Sequence, residues 1–554
     1  MQPLTSAMTT LKKALIAALK SILRGRSFLQ ALFAFWISPA AVREHHVNGK
    51  AALPRMTVTE FLHDAEQGFL APLEGEQLRR FSKKLKLQFR ERLQSHAESM
   101  LPSFNHLLPS GQEKGHYLAL DVGGSTLRVA LVTLRGREAT DRESEIVRMD
   151  TFKITPEVKK LEGMSFFDWM AVRISQVIKD DVSHCTPTAP IPMGLAWSFP
   201  VEQTSLGGGL LLGMGKGFLA TSGLHGQDLG GILKFACSKQ GLHVELSAIV
   251  NDGSATLLSQ AYVHGQTRFG LILGTGANIA VHLPVAAFNR SKFGSRPESW
   301  FESASHVIVN TELGMFGHDI LPLTRWDELL NAAHPRPDFQ PMEHLLSGYY
   351  LGEIVRLALI EGIENTEIFG GVVPPSLQAP YSLDTETLSR IEADTTPDFE
   401  VALPYFAVTH PSSTKPTAAD LGAIRSLATY VSQRSASLLA ASIFSLWELR
   451  HETEAEYIQS EISSPTPSSA RKMSFVHEAK VEHTLPRTKV AFNGSVIERY
   501  PGYRESCQGY INALVRGSEH VGQVELVPAL ESSILGAAVA LACVGEQKED
   551  VSAP

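Results

Sequence analysis

The chain has 554 residues, 44% apolar and 19% charged, with 50 basic against 58 acidic side chains and a net charge of −8. This composition excludes a disordered, collagenous or polytopic membrane protein, and its acidic balance argues against a nucleic-acid binder. The cysteines, Cys185, Cys237, Cys507 and Cys543, form no CxxC pair, so no zinc site or disulfide framework is expected and a reducing compartment fits them.

Residues 1–43 carry Lys12, Lys13, Lys20, Arg24, Arg26 and Arg43 and no acid. Ser27 to Val42, SFLQALFAFWISPAAV, has no charge but is shorter than the roughly 17–25 residues of a spanning helix. The arm reads as a membrane-proximal anchor or a mitochondrial-type targeting helix. The expected place is intracellular, at the cytosolic face of a membrane, the mitochondrial outer membrane first and the cytosol as the alternative.

Folded-domain signals begin near Met56. Thr57-Val58-Thr59-Glu60 predicts a capping box that opens a helix. Leu78, Phe81, Leu85 and Phe89 recur at helical spacing, and the basic residues among them read as a solvated face. Tyr117 to Leu134, YLALDVGGSTLRVALVTL, predicts strand, Gly-Gly turn, strand. Further strands are predicted at 192–198, 244–250, 269–273 and 489–492. Helices are predicted at 166–178, 229–238, 254–263, 345–363 and 421–449. The alternation indicates an α/β fold. No repeat of 20–50 residues is visible. Residues 451–486 are rich in Ser, Glu, Thr and Pro and read as a flexible insert.

The strongest local signal is a buried strand that delivers Asp121 to Gly123-Gly124-Ser125-Thr126. Glycines there allow successive backbone N–H groups to form a concave anion nest. The aspartate can orient a metal-bound water near a phosphate. Gly274-Thr275-Gly276 and Asn493-Gly494-Ser495 follow apolar strands in the same way. None of these is a Walker loop or a Rossmann fingerprint. Asp252 stands between a predicted strand and a predicted helix, where ligands bind in α/β sheets. Its carboxylate can accept a hydroxyl proton or simply cap the helix.

Motifs in one order then carry a family resemblance: LALDVGGSTLRV, AWSFP, GKGF, IVND, GTGANIA, VNTELGMFG, LPLTRWD, SGYYLGEIVRLAL, NGSVIERYPGY and LVPA followed by GAAVALA. Over about residues 56–545 the chain resembles the hexokinase family. The resemblance implies a two-lobed, actin-like ATPase (ribonuclease H-like) α/β fold with a deep cleft. Its small lobe would span 116–250 and 528–548. Its large lobe would span 56–115 and 251–527, with 451–486 as an insert. It also implies transfer of the ATP γ-phosphoryl group to the 6-hydroxyl of a hexose, glucose first, with Mg-ATP.

Carried over by motif, Asp252 is the catalytic base. Ser198, Lys216, Asn251, Asp252, Asn310, Glu312 and Glu343 grip the sugar. Asp121, Gly123, Gly124, Ser125, Thr126 and Arg128 would hold ATP together with Gly274, Thr275, Gly276 and Asn278. Asn493, Gly494, Ser495, Ser532 and Ser533 would complete that site. No direct metal ligand is implied, Asp121 acting on Mg²⁺ through water. Thr126, Asn493, Gly215 and Ile534 depart from the family pattern. Ile534 would place a branched side chain close to the nucleotide. These departures make a catalytically weak or inactive sugar sensor the alternative expectation.

Overall fold

The structure is a computed structural model that describes residues 56–95, 97–139, 142–178, 186–215, 217–463 and 470–552. The arm of residues 1–43, Cys185 and Lys216 lie outside the described residues. Among the described residues no helix is long and apolar enough to cross a membrane.

The strands in chain order are β1 (Leu101–Pro102), β2 (Lys114–Val122), β3 (Thr126–Arg135), β4 (Ser144–Lys153), β5 (Ile191–Trp197), β6 (Val201–Gln203) and β7 (Gly209–Leu211). There follow β8 (Val244–Val250), β9 (Thr267–Leu273), β10 (Ala277–Pro284), β11 (His306–Asn310), β12 (Arg487–Asn493) and β13 (Gln523–Pro528). One sheet has the order β4-β3-β2-β5-β8 and the other β1-β11-β10-β9-β12-β13. In the first, β3 is antiparallel to β2 and β4, and β5 runs parallel to β2 and β8. In the second, β10 is antiparallel to β9 and β11, and β12 runs parallel to β9 and β13. The two sheets repeat one topology, built from sequences that show no repeat.

The helices that position the site are α1 (Val58–Leu70), α2 (Glu76–Ser95), α3 (Asp252–Val263), α4 (Gly348–Asn365), α5 (Ala418–Ile462), α6 (Ala470–His483) and α7 (Ser532–Ser552). Helix α3 leaves the last strand of the first sheet and α7 the last strand of the second, and the two pack on each other. A Cβ built on Gly536 would lie 2.1 Å from the Ala255 carbonyl oxygen, so the close approach requires glycine. Each helix also crosses to the other repeat. Helix α7 lies on β2, β5 and β8, and α3 lies on β9.

Local chemistry matches the sequence at several points. The Thr57 and Glu60 box closes, with Thr57 N–H donating to Glu60 Oε2 at 2.8 Å and Glu60 N–H to Thr57 Oγ1 at 3.2 Å. The helix predicted over 345–363 is instead broken at Ser347, between a short helix Pro341–Leu346 and α4. The basic face of α2 is partly an ionic seam rather than a solvated one. Lys86 and Arg90 bond Glu448, Glu452 and Glu456 of α5.

The insert expected to be flexible is helical in its described part, since α5 continues to Ile462 and α6 follows. Buried charges hold it. Arg268 of β9 donates from Nε and Nη2 to Glu482 at 2.6 Å each, and Arg450 bonds the same carboxylate. His306 of β11 meets buried Glu454 at 2.8 Å. Composition counts such residues as solvated, but here each has a partner on a neighbouring element.

Candidate active site

The first glycine loop is a tight hairpin turn. Gly123 N–H donates to the Thr126 carbonyl at 3.0 Å, and Asp121 and Arg128 stand opposite each other on β2 and β3. Arg128 donates from Nε and Nη2 to Asp121 Oδ2 at 2.9 and 2.5 Å. Burial pushes the Asp121 carboxyl up from its ordinary range, and the Arg128 guanidinium pulls it back. Ser198 follows β5 and donates its N–H to the Val122 carbonyl at 3.2 Å, which places it beside this loop.

The second loop is pinned to the start of α4. Gly348 N–H donates to the Gly274 carbonyl at 2.8 Å, and Gly274 N–H to the Gly276 carbonyl at 3.0 Å. The third loop adjoins it, since a Cβ on Gly274 would lie 3.4 Å from Ser495 N. Gly494 N–H donates to Glu498 Oε1 at 3.0 Å. Asn493, where the family has aspartate, spends its Nδ2 on the Ala529 carbonyl at 3.1 Å.

The acids gather at the other end of these loops. Asn251 caps α3, its side chain accepting from Ser254 N–H at 2.7 Å, so Asp252 takes the first helical position. Asp252 Oδ1 accepts from Gly253 N–H at 2.8 Å. Glu312 has a left-handed backbone, φ 52°, and accepts from Asn310 Nδ2 at 2.6 Å. Burial pushes the Glu312 carboxyl up, Asn310 partly offsets this, and the charge of nearby Asp252 adds to the rise. Glu343 stands on the short helix 341–346. Its Oε1 would lie 2.8 Å from a Cβ on Gly276, which places this carboxylate directly against the second loop.

Expected site residues from both sheets are thus brought together, but some are reassigned. Asn278, expected with the nucleotide, is bonded instead to Asn310, one of the residues expected to grip the sugar. Its Oδ1 accepts from the Ile279 and Leu313 N–H groups at 2.8 and 3.3 Å, so its Nδ2 must donate to Asn310 Oδ1, at 2.7 Å. Ser532, also expected with ATP, is buried and shares a hydrogen bond with Thr256 of α3 at 3.0 Å. Ser533, its neighbour, is half-buried.

Ile534, expected close to the nucleotide, has no exposed side-chain surface. It is fully buried with Ala255, Leu258, Ala537 and Ala538 in the core between α3 and α7. This removes the steric ground for the sensor expectation. The sequence held a signal for it, because Ile534, Ala537, Ala538 and Leu541 fall at i, i+3, i+4 and i+7. Glu531 was missed altogether, and it accepts from Arg128 Nη1 at 2.6 Å across 403 positions of sequence.

Among the described residues no group of three or more His, Cys, Asp or Glu could hold a metal ion by itself. Asp121 Oδ2 is engaged by Arg128, and Oδ1 takes no protein hydrogen bond among the described residues. A single carboxylate beside the glycine loops fits Mg²⁺ that arrives with phosphates and keeps most of its waters.

Two family models, both described as Hexokinase, match residues 66–262 and 268–543. The chain belongs to the hexokinase family. The boundary between the matches falls where α3 ends and β9 begins, so each match covers one topological repeat. This hexokinase-family chain is 29% identical to Hexokinase-5 of Oryza sativa subsp. japonica over 509 residues, 91% of this chain and 93% of that one. It is also 29% identical to a hexokinase of Kluyveromyces lactis over 457 residues, 81% of this chain and 84% of that one. Among solved structures, a hexokinase crystal structure at 27% identity matches with a TM-score of 0.65 over 87% of this chain and 99% of that one. A Schistosoma mansoni hexokinase complexed with glucose, at 24% identity, shares the fold with a TM-score of 0.67 over 88% of this chain and 100% of that one. The chain is a hexose phosphotransferase with a two-lobed sugar-kinase fold.

Proposed function

We propose that this chain transfers the γ-phosphoryl group of ATP to the 6-hydroxyl of a hexose, glucose first, with Asp252 as the base. The carrying observation is the joining of two ends of one site. The Gly276 loop abuts Glu343, and Asn278 beside that loop orients Asn310 and Glu312. The loop read as holding phosphate and the residues read as gripping hydroxyls are therefore direct neighbours. The glucose complex of the Schistosoma mansoni relative supports glucose as the first substrate to try.

In this mechanism Asn310, Glu312 and Glu343 hold the sugar hydroxyls, each carboxylate offering more than one acceptor site. Asp252, fixed by the Asn251 cap, takes the 6-hydroxyl proton as transfer proceeds. The Gly123, Gly274 and Gly494 N–H groups donate within the protein, so the N–H groups of Gly124, Ser125, Thr275, Gly276 and Ser495 are the ones that cradle the phosphates. Asp121 would hold ATP-borne Mg²⁺ through a water, and the ion would supply charge neutralisation at the transferring group. Lobe closure on the sugar excludes water.

The position of transfer is tested with 6-deoxyglucose. It is expected to compete with glucose and to accept no phosphate. A phosphorylated product from 6-deoxyglucose would overturn the assignment of the acceptor hydroxyl.

A further inference from the structure

We propose that Glu531 is a positioning residue for the first phosphate loop, acting through Arg128 on Asp121; this deepens, and rests on, the phosphotransferase function. Among the described residues, Arg128 spends its side-chain hydrogen bonds on these two acids. Nε and Nη2 go to Asp121 Oδ2 at 2.9 and 2.5 Å, and Nη1 goes to Glu531 Oε2 at 2.6 Å. A guanidinium is planar, so fixing Nη1 fixes the direction of the other two donors. Both are thereby spent on one oxygen of Asp121, which leaves Oδ1 to a water of the nucleotide-borne metal.

The segment that carries Glu531 is itself held in place. Glu531 lies between β13 and α7 with a left-handed backbone, φ 49°. Such a conformation in a non-glycine residue persists only where the surroundings impose it. Its carbonyl accepts from Leu535 N–H at 3.0 Å, which opens α7. Two residues earlier, the Ala529 carbonyl accepts from Asn493 Nδ2 at 3.1 Å. Residues 529–531 therefore tie the third glycine loop, on the second sheet, to Arg128 and Asp121 on the first. Removing the carboxylate cuts that tie at its Arg128 end and leaves the fold intact, since the Glu531 side chain is 45% exposed.

The test compares Glu531→Ala and Glu531→Gln in the full chain. Alanine is expected to raise the KM for Mg-ATP about tenfold, the scale of a lost hydrogen bond to a charged group. Calorimetric binding of a non-hydrolysable ATP analogue with Mg²⁺ should weaken by the same factor. The KM for hexose and the unfolding midpoint should stay unchanged. Glutamine keeps an oxygen acceptor for Nη1 and should restore Mg-ATP binding to within about threefold.

Unchanged or tighter Mg-ATP binding in Glu531→Ala would overturn the proposal, as would an equal loss for hexose and nucleotide. A wild-type chain that binds the analogue but forms no product would refute the phosphotransferase function, while the calorimetric comparison still decides the role of Glu531. A wild-type chain that binds no analogue would refute both.

Discussion

Asp252→Ala lowers turnover by about 10²–10⁴-fold, the usual contribution of a positioned base. Hexose affinity changes far less. The reason lies in the geometry. Asp252 occupies the first position of α3, where the Asn251 cap and the Gly253 N–H fix the carboxylate. Asn310, Glu312 and Glu343 come from other elements and keep their own supports. In the proposed mechanism alanine removes the acceptor for the 6-hydroxyl proton but leaves those grips in place. The check is steady-state kinetics beside direct titration of glucose. A variant that kept more than about a tenth of wild-type turnover would lie outside the range expected for a lost base.

Asn278→Asp raises the KM for hexose by about 10–100-fold, the scale of a lost hydrogen bond to a charged group. Two backbone N–H groups already claim Asn278 Oδ1, so only its Nδ2 can meet Asn310. That bond turns the Asn310 amide so that its own Nδ2 faces Glu312. An aspartate at 278 has no donor. Asn310 must then rotate, and its carbonyl oxygen meets the Glu312 carboxylate instead. The KM for Mg-ATP should move much less. A rise confined to Mg-ATP would return Asn278 to the nucleotide, where its motif first suggested it.

The α/β class and the three strand-to-glycine loops were legible because their signals are local. An apolar run that ends in glycines needs no distant partner to be recognised. The capping residue Thr57 was legible for the same reason, whereas the cap of α3, read at Asp252, is its neighbour Asn251. The repeat of topology was not, because β2–β3–β4 and β9–β10–β11 reach the same pairing with different residues. The helices in the described part of 451–486 were not legible because composition carries no knowledge of Arg268, which supplies the buried partner of Glu482. Glu531 was invisible for a related reason, its partner Arg128 lying 403 positions away. Ile534 is a different case. Its helical spacing marked a core face, but its place in a nucleotide motif drew it to the wrong side of the helix.

We propose that the altered nucleotide motif of this chain leaves a working site. Burial of Ile534 in the core, with Gly536 seated against Ala255, is the structural basis for it. The most direct test is hexose 6-phosphate formation from glucose and Mg-ATP by the full chain. Sustained turnover that saturates in both substrates is predicted. A folded chain that binds glucose and forms no hexose 6-phosphate would contradict the account.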